Sequence, residues 1–315
     1  MIKYIIVRLA LVVPTVFLLS VIVFATIHLV PGDPITVMFG IEGYYPEEVE
    51  RIKKFYNLDK PIYWQYFVWL KQMATLDFGN SIVRGEPILP LITTRFPRTI
   101  MLTLGSMLVA IAFSVPLAMM AAKRHNTVID VFISGISLTF ISMPTFLLAV
   151  LMIMVFGVYL DILPTTTHRF ASGSTWDVIK GLIMPCLSAG LVTSAGITRM
   201  LRTELVDNLH KDYVLFARTK GASDNRALVF HNLRNAVIAT ATLVGLELGY
   251  LMSGVIIIEI VFSYPGMGQL LLDGVTRRDY PIIQITVLIF ALTFVVINFI
   301  TDLLYSVLDP RIRYE

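Results

Sequence analysis

An all-α membrane protein with six transmembrane helices is the fold class this sequence predicts, and three observations predict it. Of 315 residues, 56% are hydrophobic and only 15% are charged, whereas soluble domains carry about 25% charge. Mean hydropathy is +0.77. The apolar residues also gather into continuous runs, where the strands of a membrane β-barrel would alternate apolar and polar positions.

Six runs reach the roughly 20 apolar residues that a bilayer demands. They cover residues 9–30, 99–122, 131–160, 179–198, 237–262 and 282–308. Lys3 and Arg8 precede the first run in the manner of a signal peptide. That run is longer than an h-region of about 7–15 residues and no A-x-A site follows, so it is read as a retained first helix. The third and sixth runs exceed the minimum, and tilt or ragged ends are expected of them. Pro116, Pro144 and Pro185 lie inside runs and are read as plain kinks, since each removes one helix hydrogen bond.

Orientation follows from the basic residues. An even number of spans puts both termini on one side. If that side is the cytoplasm, it holds Lys3, Arg8, Lys123, Arg124, Arg199, Arg202, Lys211, Arg218, Lys220, Arg226, Arg234, Arg311 and Arg313, 13 of the 25 Lys and Arg residues. Eight of the other 12 lie in residues 31–98, a segment too long for the positive-inside rule to apply. Setting it aside leaves 13 inside against four outside, namely Arg169, Lys180, Arg277 and Arg278.

The predicted organisation is therefore a transmembrane helix over residues 1–30, an extracytoplasmic segment over 31–98, a membrane domain over 99–308 and a short cytoplasmic tail over 309–315. Within the outer segment, residues 45–56 carry mixed charge and suit a helix. Tyr63, Trp64, Tyr66, Phe67, Trp69 and Leu70 follow Pro61 and suit a helix lying at the headgroup level or packing on a neighbour. A substrate-gripping patch is the alternative reading.

The most informative stretch is 212–236, DYVLFARTKGASDNRALVFHNLRNA. It is polar and basic, yet it separates two apolar spans, within a cytoplasmic loop of about residues 199–236. Leu205, Leu209, Tyr213 and Phe216 recur at helical spacing and predict one apolar face on a helix continuing inward from the fourth span. Gly221 supplies a left-handed helix end. Ser223 is a candidate N-cap for the next helix, with Asp224 at the positive end of its dipole. Leu228, Val229 and Leu233 carry a second apolar stripe toward the fifth span. A helix–Gly–helix unit of this kind can insert into a partner groove. Its basic residues suit acidic groups on that partner or anionic lipid heads. From the residues alone, a plain cytoplasmic loop remains the competing reading.

Tyr213, Ala217, Arg218, Lys220, Gly221, Ser223, His231, Leu233, Arg234, Asn235 and Ala236 together resemble the EAA loop of ABC-transporter permeases, in the degenerate form of the peptide/nickel class. The general pattern would put Glu-Ala-Ala at 215–217, where this chain has Leu215, Phe216 and Ala217. That departure fits the peptide-type branch and argues against a sugar or amino-acid importer. Two further motifs agree. Residues 30–34 (VPGDP), 58–61 with Gln65 and Tyr66, and 76–81 (LDFGNS) resemble the B-type subunit of oligopeptide and dipeptide permeases. Residues 259–268 (EIVFSYPGMG) with 278–281 (RDYP) resemble the stretch after that family's fifth span.

The resemblance implies a type I ABC importer permease: a multi-pass protein of the bacterial inner membrane with both termini cytoplasmic, not an enzyme, and without a cofactor. Its implied partners are a second homologous permease, two ATPase subunits, an extracytoplasmic substrate-binding protein and membrane lipid. Tyr213, Ala217, Arg218, Lys220, Gly221, Ala222 and Ser223 would couple it to an ATPase. Its implied cargo is short peptides, with nickel chelates, oligosaccharides, glutathione or opines as alternatives. An intramembrane enzyme and a partner-free carrier or channel are the rivals from other classes.

Two carboxylates are candidate pathway or gate residues, Glu247 within the fifth span and Glu259 at its end. Each is also explained by a helix–helix hydrogen bond. Gly245, Gly249 and Ser253 form a small-residue ladder that lets another helix approach closely. Cys186, the single cysteine, is read as packing. Gly135-Ile136-Ser137 matches a protease GxS by chance, because no base is placed to serve a nucleophile. There is no HExxH, P-loop or metal-ligand cluster in the sequence, and the dispersed basic residues give no footprint for nucleic acid.

Overall fold

The computed structural model describes residues 2–29, 59–167, 174–209, 211–221 and 223–308. Among these residues the regular elements are helices, with one isolated bridge between Asn80 and Pro87. In chain order they are α1 (Ile2–Leu29), α2 (Ile62–Ala74), α3 (Ile88–Lys123), α4 (Val128–Ser142), α5 (Thr145–Met152), α6 (Thr175–Asn208), α7 (Asp212–Thr219), α8 (Asp224–Arg226), α9 (Leu233–Val261), α10 (Met267–Arg277) and α11 (Tyr280–Leu308). Two π-helical stretches extend this set: Ile153–Tyr159 continues α5, and Ala227–Asn232 joins α8 to α9. Helices dominate for a physical reason: a lipid-exposed backbone must satisfy its own N–H and C=O groups, and a helix does so within one segment.

Five helices are each long and apolar enough to span a bilayer, and the bent pair α4–α5 makes a sixth span when counted as one. That bend corrects the sequence reading of residues 131–160 as one tilted run. The chain turns by 101° between Ser142 and Thr145. Pro144 has no N–H to donate and stands at the N-cap of α5 with ψ 135°. The residue before a proline is pushed out of the helical region, and Met143 is accordingly extended at ψ 126°. Pro144 is thus a helix break, whereas Pro116 and Pro185 lie inside the continuous helices α3 and α6. The second span also begins earlier than the hydropathy indicates. With 36 residues, α3 is about 54 Å long, and residues 88–98 are its first turns.

The chain divides into two compact units. One comprises the described residues of Thr99–Pro265 and Val296–Glu315. Its main core joins Leu102, Met184, Ile197, Val255, Ile258 and Phe262. Small residues set the closest approaches. A Cβ on Gly190 of α6 would lie 2.6 Å from the Ser106 carbonyl oxygen of α3. A Cβ on Gly105 would lie 2.7 Å from Cys186 Sγ, so the cysteine is buried packing. Gly245 lies against Thr301 of α11, which makes this chain's own last helix the neighbour at that rung. Ser253 is exposed.

The other unit comprises the described residues of Ile2–Arg98 and Gly266–Val295. Ile88, Ile92, Met267, Leu270, Ile282 and Ile285 form its core. Within it α2 packs on α1 through Tyr66 and Trp69. The Tyr66 hydroxyl is 2.7 Å from Ser20 Oγ, and Phe24 meets the Tyr66 and Trp69 rings at centroid distances of 5.4 and 5.7 Å. Tyr63, Trp64 and Phe67 point outward. Tyr66 and Trp69 thus pack on the neighbouring helix, while Tyr63, Trp64 and Phe67 occupy the opposite, exposed face of the same helix. The 45–56 helix, the VPGDP motif and the 309–315 tail lie outside the described residues.

Replacing Gly190 with Val should lower stability by about 2 kcal/mol, because the clash is with α3 backbone that cannot rotate away. Thermal unfolding of detergent-purified protein reads this directly. Gly135→Ala, whose Cβ meets nothing within 4 Å, should remain at the wild-type melting temperature.

Candidate functional site

The polar element between α6 and α9 folds as two short helices around Gly221. α6 ends at Asn208 and α7 begins at Asp212, so the helix does not run on unbroken as its apolar spacing predicts. Gly221 has φ +89°, the left-handed region that only glycine enters without strain. Ser223 caps the second helix: its Oγ accepts from the Arg226 amide at 3.4 Å and its carbonyl from Ala227 at 2.8 Å. Arg218's side chain and the whole of Ala222 lie outside the described residues.

Burial corrects the predicted apolar faces. Val214 and Ala217 are the buried residues of α7, Tyr213 is half-buried, and Phe216 is 60% exposed. The end of one helix at Asn208 and the start of the next at Asp212 reset the helical phase, so counting on from Leu205 assigns Phe216 to the wrong side. After Gly221, Ala227 and Leu228 are buried while Val229 and Phe230 are exposed. Here the backbone is π-helical, and its i→i+5 hydrogen bonds shift the 3.6-residue stripe that the sequence implies.

The element is therefore seated on one side and apolar on the other. Its seat is a cluster of Ala118, Ala122, Leu201, Leu205, Leu228 and Ala236. Inside it the fully buried Asn232 donates from Nδ2 to the Leu205 carbonyl at 2.8 Å. The outward side carries Leu215, Phe216, Val229 and Phe230, with the Lys220 ammonium 4.4 Å from the Phe216 ring centroid. Tyr213 has its hydroxyl enclosed facing Asn235. Burial raises its pKa above that of an ordinary phenol, against the Asn235 side chain, and Glu204 adds to the rise. Tyr213 is consequently neutral wherever an exposed tyrosine would be.

A second anchor went unnoticed in the sequence, where Arg202 counted only as an inside charge. Arg202 of α6 grips Asp130 of α4 with both ends of its guanidinium, at 2.5 and 2.7 Å. His125 Nδ1 and the Asn126 amide reach the same carboxylate at 3.1 and 3.0 Å. Asp130's side chain is 4% exposed. Spacing could not reveal the pair, because its members are 72 residues apart.

The two carboxylates of α9 differ in setting. Glu259 is fully buried and accepts from the Thr99 hydroxyl at 2.6 Å, the environment of a structural residue. Glu247 is half-buried and faces a cleft of about 330 Å³ beside Thr193, Gly196 and Tyr250. Twelve residues separate the two, about 18 Å along the helix, so they form no common site. The motif residues Ser81 and Asp279, distant in sequence, do meet: within their own unit the Ser81 hydroxyl donates to the buried Asp279 carboxylate.

Long apolar helices interrupted by a seated polar element with an outward apolar face define the class, a multi-pass membrane protein. Comparison with known proteins makes the class specific. Residues 114–314 match the family model of the binding-protein-dependent transport system inner membrane component, and residues 1–103 match the model of its N-terminal region. The chain is 38% identical over 315 residues, all of both chains, to the glutathione transport system permease protein GsiC of Escherichia coli strain K12. The same identity and coverage hold for the protein of that name in Shigella dysenteriae serotype 1. The chain belongs to this family: it is a permease subunit of an ABC importer, a multi-pass inner-membrane protein and not an enzyme. The family implies ATPase and substrate-binding partners.

Arg202→Ala would leave a buried carboxylate without its main counter-charge and should cost about 3 kcal/mol, measured by thermal unfolding. Pairing Asp130→Asn with Arg202→Met should recover most of that loss, because no buried charge then remains.

Proposed function

We propose that this chain and a second homologous permease form the pathway by which short peptides cross a bacterial inner membrane. Two ATPase subunits would drive the pair, and an extracytoplasmic binding protein would load it. In this reading both termini and the 199–236 loop are cytoplasmic, residues 31–98 are extracytoplasmic, and 99–308 form the permease domain. The 13-to-four asymmetry of Lys and Arg supports the orientation. Short peptides are favoured by the peptide-type form of the loop. Relatives named for glutathione transport agree with cargo of that size, since glutathione is itself a tripeptide, and glutathione remains the specific alternative.

The observation that carries the coupling role is the two-sided character of the element around Gly221. Tyr213, Ala217, Lys220, Gly221 and Ser223 build a rigid turn, and Leu215, Phe216 and Phe230 stand out from it, exposed by 45, 60 and 67%. Large apolar side chains on a polar, basic element suit a groove on a partner. ATP-driven closure of the ATPases would pull on this turn. The seat at Leu205 and Asn232 would pass the displacement to α6 and α9, opening the permease pair to the binding protein. Hydrolysis would reset it and release cargo inward. Glu247 is read as a pathway residue. Glu259, with its Thr99 bond, is better suited to holding the gate region's structure than to touching cargo.

Gly221→Val forces a β-branched residue toward positive φ. It should leave membrane insertion intact and uncouple ATP hydrolysis from uptake in reconstituted vesicles. Normal coupled uptake would remove the turn from the mechanism. Cysteines placed beside Lys220 should resist impermeant reagents in intact cells, and external labelling would invert the topology. Calorimetry of the binding protein against di- and tripeptides, glutathione and nickel chelates decides the cargo. Binding of no peptide would end the peptide assignment.

A further inference from the structure

We propose that the cleft at Glu247 is a subsite for the primary ammonium group of the transported molecule, with the Glu247 carboxylate as its counter-charge. The inference deepens the peptide-import reading and rests on it, because a peptide's free N-terminus is such a group.

The geometry comes from the break in the chain at Pro144. Ile141 and Thr145, on either side of the 101° bend, form one wall of the cleft, and α6 and α9 form the others. Gly196 of α6 stands opposite the carboxylate: a Cβ there would lie at ordinary contact distance, 3.5 Å, from Glu247 Oε1. At about 330 Å³ the cleft is large enough for a small amine-bearing group with water.

The chemistry selects a cation. The cleft's lining includes no Lys, Arg, His, Asn or Gln, so an anionic group would meet only the repulsion of Glu247. Among the described residues no ion pair or hydrogen bond engages that carboxylate, in contrast to Asp130 and Glu259 in the same unit. A carboxylate within a span needs a protein partner or a water-filled cavity, and here it has the cavity. Tyr250 lies three residues on, on the same side of α9, with 63% of its surface open. Its ring face attracts an ammonium, and the Thr193 hydroxyl supplies a neutral acceptor. One carboxylate with hydroxyls is too sparse a set for a bare metal ion, and no group of three metal-ligating side chains occurs among the described residues.

The test uses the assembled transporter in nanodiscs. Glu247 is modified with dicyclohexylcarbodiimide and the adduct is followed by mass spectrometry, in the presence of trialanine amide or of N-acetyl-trialanine amide. The free-amine peptide should slow labelling about tenfold, the equivalent of one good charge pair, and the acetylated peptide should leave it unchanged. Equal protection by both peptides, or by neither, overturns the assignment. So does a Glu247 that resists the reagent without peptide, since a cation of the second permease would then already hold it. In vesicle uptake, Glu247→Asp should retain more transport of an amine-bearing cargo than Glu247→Gln; equal loss in both speaks for a purely packing role. The labelling requires no transport. Refusal of peptides by the binding protein therefore defeats the cargo reading, while the labelling ratio judges the subsite.

Discussion

One buried hydrogen bond, from the Asn232 amide to the Leu205 carbonyl, ties together the two arms of the polar element between α6 and α9. α6 stops at Asn208, so the last carbonyls of that helix lack intrahelical donors. Leu205 is fully buried in an apolar cluster, where an unsatisfied carbonyl costs about 1–3 kcal/mol. Asn232 meets that need from the opposite strand of the turn. The π-helical stretch Ala227–Asn232 brings it there while Ala227 and Leu228 remain inside the same cluster. With this joint closed, the turn at Gly221 is tied to the ends of α6 and α9.

The same end of the unit carries a second tie of different chemistry. Asp130 and Arg202 form a bidentate pair whose carboxylate also takes an amide and an imidazole. An enclosed pair of this kind is stable only when its hydrogen-bonding capacity is filled. That requirement fixes the α3–α4 turn, with Asn126 at φ 61°, relative to α6. The apolar cluster and the ion pair both lie at this end of the unit.

Breaks in helices, more than the helices themselves, set the other functional geometry. Pro144 divides one apolar run, and Ile141 and Thr145 on either side of the break line the cleft that Glu247 faces. In the other unit, the loop after α2 is closed by the Ser81 hydroxyl on Asp279, and Arg84 pairs with Asp273 at 3.0 Å. Two motifs that resemble a family separately, LDFGNS and RDYP, thus have a common physical reason for being present: each supplies half of one buried contact.

The sequence by itself determined the class of this protein. Hydropathy is a sum over neighbours in the chain, and it located the apolar runs, but neither the break at Pro144 nor the early start of α3. Glycine at a left-handed turn and serine at an N-cap are local requirements, so Gly221 and Ser223 were legible. Tertiary structure decided what depends on residues far apart or on helical phase. Phe216 faces outward because one helix ends at Asn208, the next starts at Asp212 and the phase is lost; Val229 does so because a π turn adds a residue to the stripe. The Asp130–Arg202 pair, the Ser81–Asp279 contact and the contrast between a bonded Glu259 and an open Glu247 involve partners on different helices. Spacing along one chain carries no information about which helices meet, and only packing brings those charges together or leaves one of them facing a cavity.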